Sequence, residues 1–229
     1  MTEITGEDVS HIRNVLRMKP GEEIEVSDGT RCFAGQIESL SADAVRVRLK
    51  EERQSTELPV KVTLYQGLPK SDKLETIIQK CTELGAAAVV PVEMRRSVVK
   101  IDAKKKAAKQ SRWQSIAESA AKQSKRTEIP SVSEPVSFAE AVADSAGKDV
   151  QLFCYEQAMG MRHTRDMLGS LKPGQTVGLW IGPEGGFEES EARALQDAGA
   201  QVITLGRRIL RTETAGPAAL AMLTVLLEP

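Results

Sequence analysis

Residues 179–216 read LWIGPEGGFEESEARALQDAGAQVITLGRRILRTETAG, and this stretch decides the fold class of the chain. Two short apolar runs, 177–181 and 201–205, have the length and composition of buried strands. A glycine-bearing turn follows each run, and apolar residues line one face of an intervening helix over 188–198. This order of strand, glycine turn and helix predicts an α/β sheet that binds a ligand at the carboxyl ends of its strands.

The first turn, Gly182-Pro183-Glu184-Gly185-Gly186, allows close backbone approach but lacks the features of a phosphate loop. It carries a glutamate, further carboxylates follow it, no Lys-Ser/Thr pair comes next, and the chain contains no G-x-G-x-x-G. Negative charge repels phosphate and favours a neutral or cationic ligand, such as a nucleoside that carries a sulfonium. The alternative is that the carboxylates complement a helix dipole and the glycines only turn the chain.

Two segments of this stretch resemble a known family. IGPEGGFEESE (181–191) and LGRRILRTETAGPAAL (205–220) resemble cofactor-loop motifs of the SPOUT methyltransferases, the class with a C-terminal trefoil knot. More narrowly, GPEGG followed by LG-x-x-ILR-x-ETA resembles the RsmE family, which methylates uridine N3 in 16S ribosomal RNA. The resemblance extends over nearly the whole chain.

Composition limits the remaining possibilities. The chain has 229 residues, a net charge of −1, three cysteines that are far apart and two histidines. The length permits one large or two smaller domains, and the cysteine usage fits a reducing compartment without a disulfide set. The histidine count argues against a bound metal or a Ser-His-Asp triad. The polar N-terminus and the lack of a long apolar stretch indicate a cytoplasmic protein that does not span a membrane.

Residues 1–57 are predicted to form a small β-rich domain that ends in a polar linker over 50–57. Ser10 is predicted to cap a short helix. The segment HIRNVLRMKPGEEIEVSDG (11–29) resembles the start of the family's PUA-like β-barrel, an RNA-binding domain. On that resemblance Arg13 and Arg17 match RNA-contacting positions. The alternative is two solvated arginines on a helix.

Residues 58–229 alternate strands with helices, which indicates an α/β domain. Strands are predicted over 60–66, 86–92 and 150–155, and a helix over 72–84. A final helix, capped by Thr212 or Thr214, is too apolar to bury one face only, so it lies inside the domain or meets a partner subunit. The resemblance implies a SPOUT domain with a knotted C-terminal end, and a homodimer.

The segment 95–126 holds the main charge anomaly, with eleven lysines and arginines against two carboxylates. Such a run is often a solvated helix face. An imbalance of this size favours a polyanion-binding surface, and the resemblance to the family at RRSV (95–98) and RWQSIAESAAKQSKRTEIP (112–130) favours RNA. The candidate RNA-binding residues in this segment are Arg95, Arg96, Arg112, Lys122 and Arg126.

The resemblance implies S-adenosylmethionine as the cofactor, held in a bent form by three loops. The candidate cofactor-binding residues are Tyr155, Glu156, Ile181, Gly182, Pro183, Glu184, Gly185, Gly186, Leu205, Gly206, Ile209, Leu210, Thr214 and Ala215. The expected reaction is methyl transfer to a uridine of 16S ribosomal RNA in the small subunit. Because N3 of uridine carries a weakly acidic proton, a base or a charge that stabilises the anion is required, and Arg211 is the candidate catalytic residue.

Three alternatives remain open at the level of sequence. The chain could be an RNA-binding assembly factor that kept the scaffold without catalysis, although its loop motifs are intact. It could be a nucleotide-using enzyme, against which the missing phosphate-loop lysine and the acidic turn argue. It could also be an RNA methyltransferase of the same fold that acts on a ribose 2′-hydroxyl or a guanine nitrogen.

Overall fold

The computed structural model of the chain describes residues 1–155 and 160–228. The chain divides into two compact units, Met1–Thr56 and Glu57–Pro229. Within the described residues no helix is both long and apolar enough to cross a membrane.

The N-terminal unit is an antiparallel sheet in the order β1-β4-β3-β2. Its strands are β1 (Thr2–Thr5), β2 (Glu23–Ser27), β3 (Cys32–Leu40) and β4 (Ala44–Arg53). A short helix, α1 (Glu7–Ser10), continues as a π-helical turn over His11–Val15. Val9 and Ile12 from this segment pack on Ile37, Val45 and Val47 of the sheet to form a small core.

Two local predictions for this unit are wrong. Ser10 is the last residue of helix α1 and precedes the π-helical turn, but its side chain makes no capping hydrogen bond to that turn. The linker predicted over 50–57 is partly strand, since β4 runs to Arg53 and pairs Glu52 with Phe33. Its charged side chains are compatible with a strand because residues 50–53 are exposed and do not belong to the small core.

The C-terminal unit contains a parallel sheet in the order β11-β9-β10-β5-β6-β7, with β8 pairing to β6 as well. Its strands are β5 (Lys61–Gly67), β6 (Ala86–Glu93), β7 (Ser131–Val132), β8 (Val136–Ser137), β9 (Val150–Cys154), β10 (Thr176–Ile181) and β11 (Gln201–Ile203). The helices are α2 (Lys73–Glu83), α3 (Ala103–Gln123), α4 (Phe138–Ser145), α5 (Met161–Gly169), α6 (Glu189–Asp197) and α7 (Thr212–Leu227).

Helices cover both faces of the parallel sheet. Buried residues of α2, α3, α5 and α7 form one core with alternate residues of β10, including Val177 and Leu179. Trp180 points to the opposite core, which it shares with Ala141 of α4 and Leu195 of α6. Successive strand side chains face opposite sides, and both sides are apolar, which explains why these strands read as continuous hydrophobic runs.

The last helix differs from its prediction at its start. Its N-cap is Arg211, without a side-chain cap hydrogen bond, so neither Thr212 nor Thr214 caps it. One row of the helix is buried, as Leu220 and Leu223 show, but Val225 is 81% exposed. Within this chain, helix α7 therefore buries its domain-facing side and leaves an apolar C-terminal turn uncovered.

Candidate functional site

A cavity of about 550 Å³ lies at the carboxyl edge of the parallel sheet. Its walls come from the ends of β9, β10 and β11 and from the loops that follow the last two of these strands. The volume is in the range of sites that hold a small molecule. The site therefore lies where parallel α/β sheets bind ligands.

Glycines shape the cavity's two described loops. Gly186 has φ +67° and Gly206 has φ +115°, a region that side chains other than glycine rarely adopt. A Cβ on either residue would meet nothing within 4 Å, so the missing side chains leave open space for a ligand. A Cβ on Gly182 would lie 3.1 Å from the backbone of Gly186, which shows how tightly the first loop folds on itself. Such loops fit a nucleoside that lies against backbone rather than side chains.

A buried relay of hydrogen bonds holds the start of the 182–186 loop. The side-chain amide of Gln66, at the end of β5, donates to Thr212 Oγ1 over 2.8 Å. Thr212 Oγ1 in turn donates to the carbonyl oxygen of Gly182 over 2.7 Å. Both side chains are buried, so these bonds are shielded from competing water. This is the structural role of Thr212 in place of helix capping.

Lys73 holds the middle of the same loop. Its ammonium lies 3.1 Å from a carboxylate oxygen of Glu184 and 3.1 Å from one of Glu213. The hydrogen bonds that Lys73 donates to Glu184 and then to Glu213 raise the pKa of Lys73. Desolvation opposes ionisation of Glu184, but backbone N–H groups, including that of Lys70, and Lys73 outweigh it and lower its pKa. All three groups are therefore charged near neutral pH.

The pKa of Glu213 is lowered as well, first by a hydrogen bond from its own backbone N–H at the start of α7 and further by Lys73. Glu213 lies one residue after Thr212 in the first turn of that helix. Consequently, consecutive residues of α7 fix two points of the 182–186 loop, Gly182 directly and Glu184 through Lys73.

The other carboxylates of the acidic turn are also engaged. Glu191 is buried and accepts hydrogen bonds from the backbone N–H groups of Arg95 and Glu188. Glu188 forms an ion pair with the Arg95 guanidinium at 3.2 Å, and Glu189 pairs with Arg193. These glutamates cap and brace helix α6. The sequence-based expectation that this turn presents free negative charge to a ligand is therefore wrong.

Arginines dominate the charge of the cavity. Arg207, Arg208 and Arg211 follow β11, are exposed and line it, and none of them forms an ion pair within 4 Å among the described residues. Arg96 joins them from the loop after β6 and donates to the carbonyl oxygen of Gly185 over 2.9 Å. The described wall is thus strongly cationic, which suits an anionic substrate or an anion formed during reaction.

Most of the candidate cofactor residues converge on this cavity. Those that line it are Tyr155, Ile181, Gly182, Pro183, Glu184, Gly185, Gly186, Leu205, Gly206, Ile209, Leu210 and Ala215, together with the candidate catalytic residue Arg211. Thr214 does not line it and is exposed on the first turn of α7, because Thr212 occupies the inward position. Glu156 lies outside the described residues. Ile209 is 91% exposed, so its side chain makes little contact with the wall.

The candidate RNA-binding residues differ in what they contact. Arg95, Arg96, Arg112 and Lys122 are exposed, and Arg112 pairs with Glu75 while remaining 67% exposed at its side chain. In the N-terminal unit Arg13 and Arg17 are both exposed. Arg17 also has φ +54°, a conformation that costs a non-glycine residue roughly 1–2 kcal/mol.

Arg126 is not available to RNA. Its side chain is 3% exposed and forms a close ion pair with Glu57. It also donates to the carbonyl oxygens of Thr82 and Ala86. A buried guanidinium with these partners holds the start of the C-terminal unit to the end of α2. The charge run of the sequence did not distinguish this internal arginine from its exposed neighbours.

Several wall residues were missed by sequence reasoning. Lys73, the first residue of α2, was not predicted, and Arg96 was predicted only as an RNA contact. Arg207 and Arg208 belong to the quoted LGRRILR motif and could have been included from their position. Cys154 also lines the cavity, but desolvation raises the pKa of its thiol to about 12. The thiol is therefore neutral and is not poised as a nucleophile. Among the described residues no cluster of His, Cys, Asp or Glu could hold a metal ion.

Two family models match the chain, one in each of its two compact units. Residues 56–224 match the RNA methyltransferase domain, and residues 4–50 match the RNA methyltransferase PUA domain. Among curated relatives, ribosomal RNA small subunit methyltransferase E of Bacillus subtilis is 41% identical over 227 residues, covering 96% of this chain and 88% of the relative.

Solved structures agree with this match. Ribosomal RNA small subunit methyltransferase E of Neisseria gonorrhoeae, bound to S-adenosyl methionine, has a TM-score of 0.83 and 31% identity, covering 98% of this chain and 91% of that one. A methyltransferase of Legionella pneumophila with bound SAM has a TM-score of 0.80 and 33% identity, covering 98% and 91%. The predicted α/β class, with an RNA methyltransferase domain preceded by a PUA domain, is confirmed.

Proposed function

Because the chain belongs to the ribosomal RNA small subunit methyltransferase E family, we propose that it methylates N3 of a uridine in 16S ribosomal RNA. The chain is an RNA methyltransferase that uses S-adenosylmethionine. The choice of uridine N3 rests on the family resemblance of its two loop motifs, and on a cavity whose described cations suit an anionic nucleophile.

The cofactor, when bound, supplies an electrophilic methyl group. The glycine loops 182–186 and 205–206 hold it through backbone contacts, with Leu210 and Ala215 completing the wall. The hydrogen bond from Thr212 and the ion pair with Lys73 hold the first loop in its conformation before the cofactor binds. A pre-formed site of this kind lowers the entropy cost of binding and aligns the reacting atoms.

Arg211 stabilises the uracil anion in this proposal. It lines the cavity as the N-cap of α7, and its acidic neighbour Glu213 is already held by Lys73. Its guanidinium is therefore available to the uracil oxygens. Glu184 is the one carboxylate in the described wall, and its low pKa makes it a weak base. Lowering the pKa of uridine N3 with a fixed cation is then the main task of the protein.

The target uridine must leave any base pair, because N3 lies on the pairing edge of uracil. We propose that residues 1–57 and 58–229 form an RNA-binding and a catalytic domain. Arg13 and Arg17 of the first, with Arg95, Arg96 and Lys122 of the second, contact phosphates. Arg112 joins them by exchanging Glu75 for a phosphate. Such contacts supply affinity but little sequence choice.

We also propose that the protein is a homodimer in the cytoplasm, where small ribosomal subunits are found. The exposed apolar turn of α7, which includes Val225 and Leu226, supports a subunit contact, because exposed apolar groups of this size gain free energy when a partner covers them.

Arg211→Ala tests the catalytic assignment. We expect transfer of labelled methyl to small subunits to fall by at least about 100-fold, the usual effect of losing one group that stabilises a developing anion. Cofactor affinity, measured by calorimetry, should stay within about threefold of the wild type. Arg193→Ala, on the outer face of α6, is the matched control and should transfer normally. Wild-type turnover by Arg211→Ala would contradict the role.

A further inference from the structure

The charge of the cavity conflicts with the charge of the cofactor. Among the described wall residues there are five cations and a single carboxylate: Lys73, Arg96, Arg207, Arg208 and Arg211 against Glu184. S-adenosylmethionine carries one net positive charge at neutral pH, because its sulfonium adds to a balanced ammonium and carboxylate. The product, S-adenosylhomocysteine, has lost the sulfonium charge and is neutral.

Nearby carboxylates cancel only part of this charge. Glu184 and Glu213 both contact Lys73, and the charge of Arg211 also helps to lower the pKa of Glu213. Glu188 pairs with Arg95. Lys73 and its two glutamates together leave one negative charge, against four arginines on the wall. The described part of the site therefore keeps a positive potential in the absence of RNA.

We propose that the free protein binds neutral S-adenosylhomocysteine more tightly than S-adenosylmethionine, and that RNA phosphates reverse this preference. The inference rests on the proposed function, since it takes the cofactor and the RNA substrate from it. A positive potential penalises the sulfonium and not the thioether. Phosphates that pair with the wall arginines remove that penalty.

The consequence is a coupling between cofactor and RNA. Because binding free energies are linked, RNA must raise the affinity for S-adenosylmethionine by the same factor as S-adenosylmethionine raises the affinity for RNA. No comparable gain applies to S-adenosylhomocysteine. Methyl transfer therefore weakens the binding of both the cofactor product and the RNA, which favours their release together.

The test measures a ratio of two dissociation constants. Calorimetry on the full chain would give the values for S-adenosylmethionine and S-adenosylhomocysteine at low and at high salt. We expect a preference of about two- to fivefold for the neutral ligand for each uncompensated surface charge, shrinking as salt rises. The second arm repeats the measurement by equilibrium dialysis with unmethylated small subunits, where we expect the preference to disappear or reverse.

Three variants assign the effect to named charges. Arg208→Gln should move the ratio toward S-adenosylmethionine, and Glu184→Gln should move it toward S-adenosylhomocysteine. Arg193→Gln, which changes charge by the same amount outside the cavity, should leave it unchanged. Shifts of the ratio in opposite directions for Arg208→Gln and Glu184→Gln identify an effect of electrostatic potential. A loss of folding would instead weaken the binding of both ligands alike.

Each outcome decides a separate point. Tighter binding of S-adenosylmethionine by the free protein at low salt would overturn the charge preference. Small subunits that leave the ratio unchanged would overturn the coupling. Failure to bind either ligand would instead remove the proposed function, since no cofactor site would then exist.

Discussion

A single methyl group at Gly67 should displace the first cofactor loop. Gly67 ends strand β5, and a Cβ built on it would lie 2.5 Å from Pro183 Cδ and 2.6 Å from Pro183 N. It would also lie 2.9 Å from Met94 Sδ. Because non-bonded carbon atoms pack at roughly 3.5–4.0 Å, Pro183 would have to retreat by about 1 Å. The backbone of the loop would move with it.

The cost of Gly67→Ala follows from this overlap. Forcing an extra carbon into a packed site costs about 1–3 kcal/mol. In a domain of this size that lowers the melting temperature by roughly 2–4 °C per kcal/mol, which thermal unfolding by circular dichroism detects. Since Pro183 lies between Gly182 and Glu184, we also expect weaker cofactor binding, by roughly tenfold for a shift of this size.

Gly169→Ala is the matched control, because it adds the same group at the last residue of α5. A Cβ there meets nothing within 4 Å, and alanine favours the helix by up to about 1 kcal/mol. The control should unfold at or above the wild-type temperature and bind cofactor normally. Equal stability and equal cofactor affinity for the two variants would refute the reasoning, since the clash at Pro183 would then have no consequence.

Three further changes should alter the stability of the protein, its pH dependence and its oligomeric state. Arg126→Ala should lose about 3–5 kcal/mol of stability, measured by urea unfolding, because it removes the buried guanidinium that pairs with Glu57 and donates to the carbonyl oxygens of Thr82 and Ala86; reduced RNA affinity at unchanged stability would contradict this. The folded pKa values of Glu184 and Glu213 are lowered, so their stabilisation is present above their ordinary pKa of 4.5 and is lost as pH falls through the lower folded values. In the double variant Glu184→Gln/Glu213→Gln, the free energy of unfolding should therefore depend less on pH below 4.5 than in the wild type. An equal pH dependence in the two proteins would refute the assignment. Val225→Lys should yield a folded monomer in sedimentation, whereas an intact dimer would place the subunit contact elsewhere.

Sequence patterns were sufficient for the architecture of the catalytic unit. Apolar runs bounded by glycine turns mark strands whose both faces are buried, so the bounds expected for β10 and β6 agree with the observed strands to within a residue or so. The helix expected over 188–198 is α6, which spans Glu189–Asp197. The candidate cofactor residues follow from the resemblance of two contiguous motifs to the family, and most of these residues line the cavity.

Contacts between distant segments were not predictable from these patterns. Lys73, the first residue of α2, meets Glu184 and Glu213 only because the starts of α2 and α7 reach the same edge of the sheet. Arg126 looks like its exposed neighbours in a basic run, yet the turn after α3 directs it inward to Glu57. Local composition records charge and periodicity, but pairing over such sequence separations is decided by the tertiary fold.

Labelled methyl transfer tests whether the protein methylates uridine N3. Tritiated S-adenosylmethionine would be incubated with the protein and with small ribosomal subunits or free 16S RNA from cells that lack it, followed by nucleoside analysis. We expect label that comigrates with 3-methyluridine, and none with Arg211→Ala. Label in another nucleoside, or cofactor binding without transfer to either acceptor, would contradict it.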